Sequence, residues 1–87
     1  MIKPTVGRVV WFHPTETETN AAMVTHVWGD EMVNLVVFDS NGVPRGETSV
    51  WLWQGEGATI PKPTVRYCEW MPFQIGQARA SVEKVFT

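Results

Sequence analysis

Apolar residues come in short runs along this chain, and turn-forming residues interrupt them at near-regular intervals. The first run, Gly7-Arg8-Val9-Val10-Trp11-Phe12-His13, is closed by Pro14. Thr15-Glu16-Thr17-Glu18-Thr19-Asn20 is polar and acidic and reads as an exposed loop. A second run spans Ala21 to Trp28 and a third Met32 to Phe38, with Gly29-Asp30 between them, which predicts a hairpin. Asp39-Ser40-Asn41-Gly42 predicts a second turn, because Asn-Gly reaches positive φ at little steric cost. The fourth run is Glu47 to Trp53, the stretch 54–63 carries two glycines and two prolines and reads as a loop, and a fifth run covers Thr64 to Trp70. Strands spaced this way predict a small barrel or sandwich.

The period changes after Pro72. Ile75, Ala78, Val82 and Val85 recur at three- and four-residue steps, the stripe of an amphipathic helix, and Pro72 suits its first turn. The expected architecture is therefore mainly β: one domain over residues 1–87. It is a small five-stranded antiparallel barrel of the Src-homology-three kind, with a strand core over about 5–70 and a short C-terminal helix over about 73–86.

Alternation along the strands exposes a surplus of apolar surface. On the second strand Ala22, Val24, His26 and Trp28 are expected on one face and Ala21, Met23 and Val27 on the other. The third divides Met32, Val36 and Phe38 from Val33, Leu35 and Val37, and the fourth divides Ser49, Trp51 and Trp53 from Thr48, Val50 and Leu52. Five tryptophans, each able to bury about 150–250 Å², exceed what so small an interior holds. Some must face the helix, a second copy of the chain or a ligand, so self-association is expected.

Composition narrows the chemistry. Eighty-seven residues bury only about 60–65% of their unfolded surface, and the single cysteine, Cys68, forms no intrachain disulfide. The net charge of −2 argues against general nucleic-acid binding, which needs a basic stripe. No apolar run approaches the ~20 residues of a membrane span, and no signal peptide opens the chain, so a cytoplasmic location is expected. His13 and His26 have no nucleophile partner in sequence, and no metal-ligand spacing or phosphate-cradling loop occurs. The expectation is a binding protein without catalysis, cofactor or metal. Cys68 reads as a small buried hydrophobe and His26 as a hydrogen-bonded core or interface residue. Candidate ligand contacts are the aromatic side chains Trp11, Trp28, Trp51, Trp53 and Trp70 with His26, and the cations Arg8, Arg45 (in the turn before the fourth strand) and Arg66.

Four blocks, Pro4-Thr5-Val6-Gly7-Arg8-Val9-Val10, Ala21 to Trp28, Val33 to Asp39 and Glu69-Trp70-Met71-Pro72, resemble a widespread group of small tailed-phage and prophage proteins. The likeness covers most of residues 3–72; Cys68 and the tail after Pro72 lie outside it. By analogy of class, the resemblance implies an anti-defence sponge in the cytoplasm of an infected bacterium. Such a sponge sequesters a cyclic nucleotide signal of CBASS or Thoeris type at subunit interfaces, without cleaving it. Two alternatives stay open: a module that grips another protein through an aromatic groove, and a structural accessory of a phage particle.

Overall fold

The computed structural model describes residues 1–76. Five strands follow one another: β1 Val9–His13, β2 Asn20–Gly29, β3 Met32–Phe38, β4 Pro44–Trp53 and β5 Tyr67–Glu69, with a single 3-10 turn at Gly55–Gly57 after β4. They close into a barrel in the order β1-β2-β3-β4-β5. The β1–β2, β2–β3, β3–β4 and β1–β5 pairs are antiparallel, whereas β4 and β5 run parallel. The expected barrel is thus present with one parallel seam, because the stretch after Trp53 crosses over before β5 instead of turning back beside β4.

Period-two alternation fills the interior. Val10 and Phe12 of β1, Ala22 and Val24 of β2, Val33, Leu35 and Val37 of β3, Val50 and Leu52 of β4, Cys68 of β5 and Trp70 beyond it form one buried cluster. Trp70 is the only tryptophan in this core. Its indole N–H donates to Gln54 Oε1 at 3.0 Å. The same oxygen accepts from Ile2 N–H at 3.1 Å, while Gln54 Nε2 donates to the carbonyls of Ile2 and Asp30, both at 2.8 Å. Every hydrogen-bonding capacity of this buried amide is used, and it ties the N-terminal segment, the β2–β3 turn and the end of β5 together.

Backbone irregularities explain where the sequence reading departs from the structure. Two β-bulges face each other across Asn34 of β3: Thr25 is the extra residue on β2, and Thr48 and Ser49 together oppose Asn34 from β4. Each bulge shifts the alternation by one position. His26 and Trp28 therefore leave the face of Ala22 and Val24 and stand outside, and Val27 turns in against the core. His26 is exposed, not a core residue. Ser49, at the β4 bulge, sits at φ 53°. β4 begins at Pro44, so Arg45 is a strand residue instead of a turn residue. β5 is only three residues long, starting just after Arg66, whose φ of 52° breaks the extended backbone.

A helical turn over 72–76 follows β5. Gln74 Oε1 accepts from the N–H of Met71 at 2.9 Å, the back-reaching half of a capping box. Gln74 Nε2 donates to the Val9 carbonyl at 2.7 Å, which moors the turn to β1. The rest of the expected helix, with Ala78, Val82 and Val85, lies outside the described residues.

Candidate functional site

The outer surface near the β2–β3 turn carries the two most exposed tryptophans. Trp28 is 62% exposed and Trp51 44%. Met32, paired with both Gly29 and Trp51, lies between their strands. Trp28 is exposed but not loose. Its indole N–H donates to Asn34 Oδ1 at 2.9 Å, and its ring meets the His26 imidazole edge-on at 4.4 Å between centroids. Asn34 Oδ1 also accepts the Ser49 N–H at 2.8 Å, so one side chain secures the β4 bulge and the tryptophan together. Asn34→Ala is expected to cost about 1 kcal/mol, the worth of a mostly solvated hydrogen-bond pair, which is about 4–8 °C in Tm for a domain this size. Asn34→Asp, which keeps the acceptor, should retain most of the stability; a melting curve of each variant checks this.

Beyond Trp51 the 58–66 segment forms the far wall of an open groove of about 420 Å³, lined by Trp51, Ile60, Pro61, Lys62, Pro63 and Thr64. Two prolines make the wall stiff by fixing φ. Its position is set by Glu31 in the β2–β3 turn, whose carboxylate accepts from the Thr59 N–H at 3.0 Å and from the Thr59 hydroxyl. The Thr59 hydroxyl bond holds the Glu31 carboxyl below its ordinary pKa, so this anchor is complete at neutral pH and is lost as the pH falls through that lowered value. Lys62 Nζ lies 4.9 Å from the centroid of the half-buried Trp53, a cation on an aromatic face.

The other candidate residues do not join this surface. Arg66 Nε lies 3.3 Å from Glu47 Oε1 and Arg45 Nε 3.4 Å from Glu47 Oε2, so one carboxylate answers both guanidinium groups. Arg66 also donates to the Thr48 carbonyl at 2.9 Å. Arg8 lies 5.8 Å from the centroid of the buried Trp70. Trp11 is on the outer face of β1, paired with Ala21 and Glu69. Trp70 belongs to the core and is excluded as a ligand contact by its burial.

A polar cluster occupies the other end of β1. His13 Nε2 is 2.6 Å from Glu69 Oε2, and His13 Nδ1 faces the Glu18 carbonyl at 3.1 Å and the Thr19 hydroxyl at 3.2 Å. These contacts fasten the loop before β2. Beside it lies a second open groove of about 440 Å³, lined partly by Glu18, Asp39 and Arg45. Among the described residues no group of three or more His, Cys, Asp or Glu is placed to hold a metal ion, and no helix is long and apolar enough to cross a membrane.

Sequence reasoning missed Asn34, Glu31 with Thr59, and the Ile60–Pro63 wall. Asn34 offered one signal, a lone polar residue in an otherwise apolar strand. The wall offered none, since a loop's docking depends on partners distant in sequence. Comparisons of the chain with family models and curated proteins, and of its fold with solved structures, returned no match.

Proposed function

We propose that this protein is a non-catalytic interaction module that docks a polypeptide partner on the Trp28–Met32–Trp51 platform and the adjoining groove. The observation that carries this reading is the fixed, exposed Trp28. An aromatic side chain already held by Asn34 and His26 loses little rotamer freedom on binding, and tryptophans so placed dominate interface energetics. The open groove beside Trp51, mainly apolar and proline-walled, suits an extended segment of the partner.

A second reading, sequestration of a cyclic nucleotide, draws on Lys62 over Trp53 next to Trp51, a cation beside flat aromatic faces. Magnitudes rank it lower for a single chain. One stacked base offers about 1–3 kcal/mol and one charge-assisted bond to phosphate about 1.5–3 kcal/mol, against the ~12 kcal/mol of nanomolar sequestration. Arg45 and Arg66 are already engaged by Glu47, so the remaining affinity would have to come from other copies of the chain.

The two readings separate cleanly by experiment. Panning a random-peptide library on the wild type should enrich ligands whose affinity falls at least ~30-fold, about 2 kcal/mol, for Trp28→Ala or Trp51→Ala. Ligands indifferent to both substitutions would remove the platform from consideration. Calorimetric titration with cyclic di- and trinucleotides and cyclic ADP-ribose isomers addresses the alternative. Binding tighter than ~10 μM that weakens in Lys62→Ala would put the nucleotide reading first.

A further inference from the structure

We infer that two copies of this chain pair antiparallel through the first half of β4, about a twofold axis at Gly46. β4 runs from Pro44 to Trp53, but β5 pairs only with Trp51, Leu52 and Trp53. Along 44–48 β4 is hydrogen-bonded to β3 on one side, and no described strand pairs with its other edge. Pro44, Arg45, Gly46 and Thr48 are exposed. A Cβ built on Gly46 would meet nothing within 4 Å.

The direction of the backbone groups follows from the register. Val24 N–H and C=O bond to the Arg8 carbonyl and Gly7 N–H, away from β3. Its β3 partner Leu35 is therefore turned towards β4, and Glu47, opposite Leu35, is turned back to β3. Two-residue alternation then points the backbone groups of Pro44, Gly46 and Thr48 at the open edge. The Thr48 carbonyl agrees, since it accepts from Arg66 on that side at 2.9 Å.

An axis at Gly46 aligns 46 with 46 and 44 with 48 of the second copy. Gly46 N–H and C=O would exchange bonds reciprocally, and Thr48 N–H would donate to the Pro44 carbonyl across the axis. The only bond this register leaves out runs from residue 44 N–H to the residue 48 carbonyl. Pro44 has no N–H to give, and the Thr48 carbonyl already has Arg66. The missing donor and the occupied acceptor fall opposite each other. Side chains agree as well: residues 45 and 47 become direct cross-strand neighbours, so Arg45 of each copy faces Glu47 of the other and adds an opposite-charge neighbour to a carboxylate that its own Arg45 and Arg66 already flank. Pro44 also ends the pairing, which makes the contact self-complementary and closed at two copies. The surface stands on backbone geometry and charge, and it does not depend on what the tryptophan platform binds.

Sedimentation equilibrium of the full chain tests it. The wild type is expected to be a dimer at micromolar concentration. Arg45→Glu sets carboxylate against carboxylate across the axis, and Glu47→Arg sets guanidinium against guanidinium. Each should raise the dissociation constant about tenfold or more. An equimolar mixture of the two variants restores opposite-charge pairs between unlike chains and should recover a heterodimer. Gly46→Pro removes the N–H bonds at the axis and leaves the β3 ladder intact, and it should be monomeric. A wild type that stays at 9.8 kDa to 100-fold above that concentration range, a dimer indifferent to all three substitutions, or charge variants that dissociate but do not recover on mixing would each overturn the pairing.

Discussion

Replacing Trp70 with alanine is expected to cost about 3–5 kcal/mol, a large part of the ~4–13 kcal/mol that holds a domain of this length folded. Two losses combine. The indole is 2% exposed and fills the end of the barrel beside Gln54. Its removal leaves a cavity and also strips Gln54 Oε1 of one of its two donors. Trp70→Phe keeps much of the volume but not the N–H, and its cost isolates the polar part. Gln54→Leu should be comparably damaging, because Ile2 N–H, the Ile2 and Asp30 carbonyls and the Trp70 indole would all lose their partner. Since both residues serve one network, the double variant Gln54→Leu/Trp70→Phe should cost less than the sum of the singles. Urea unfolding of the four proteins measures this; strict additivity would show that the network is not a unit.

Stability should also decline steeply in alkali, between about pH 9 and 12. Cys68 is fully buried, and burial pushes its thiol from 9.0 up to about 12. A folded-state pKa above the unfolded one means that the folded chain holds the proton more tightly. The associated stability is complete below about pH 9 and is lost as the pH rises towards 12, a difference of about 4 kcal/mol at most. Tyr67 works in the same direction, its hydroxyl raised above 10.0 by burial and by the neighbouring Glu69 carboxylate. Cys68→Ala should flatten most of the slope and leave a smaller tyrosine contribution. Chemical denaturation at stepped pH checks this, and a wild-type curve that is flat up to pH 11 would contradict it. The native thiol should likewise resist alkylation at pH 8, because neither thiolate nor access is present.

The barrel is legible in the chain because alternation, Asn41-Gly42 and the proline-rich crossover are local signals. Strand β3 matches its expected bounds at both ends. What the alternation rule does not supply is the pair of bulges. An extra residue at Thr25 looks like any other position in an apolar run, yet it decides that His26 and Trp28 face outward and Val27 inward. Placing His26 in the core follows from counting by twos past that point. Arg45 and Arg66 read as candidate ligand cations for the same kind of reason: their shared partner Glu47 is set by a strand register and a crossover, and neither distance is written in the spacing. Trp70 reads as a ligand candidate because sequence does not say which tryptophan the small interior takes. The core takes Trp70 alone of the five.

The three-residue β5 has a consequence for the order of assembly. β1 to β4 form a meander whose contacts link neighbouring segments, so they nucleate at low loop-closure cost. Closing the cylinder requires β5 to reach β1, joining residues such as His13 and Glu69, 56 positions apart. That long-range step brings only a short ladder on each side and comes after most of the chain has been ordered. A nascent chain that has released only its first four strands therefore carries a nearly complete sheet with its last seam unsealed, and it stays so until residues 67–69 emerge to shut it.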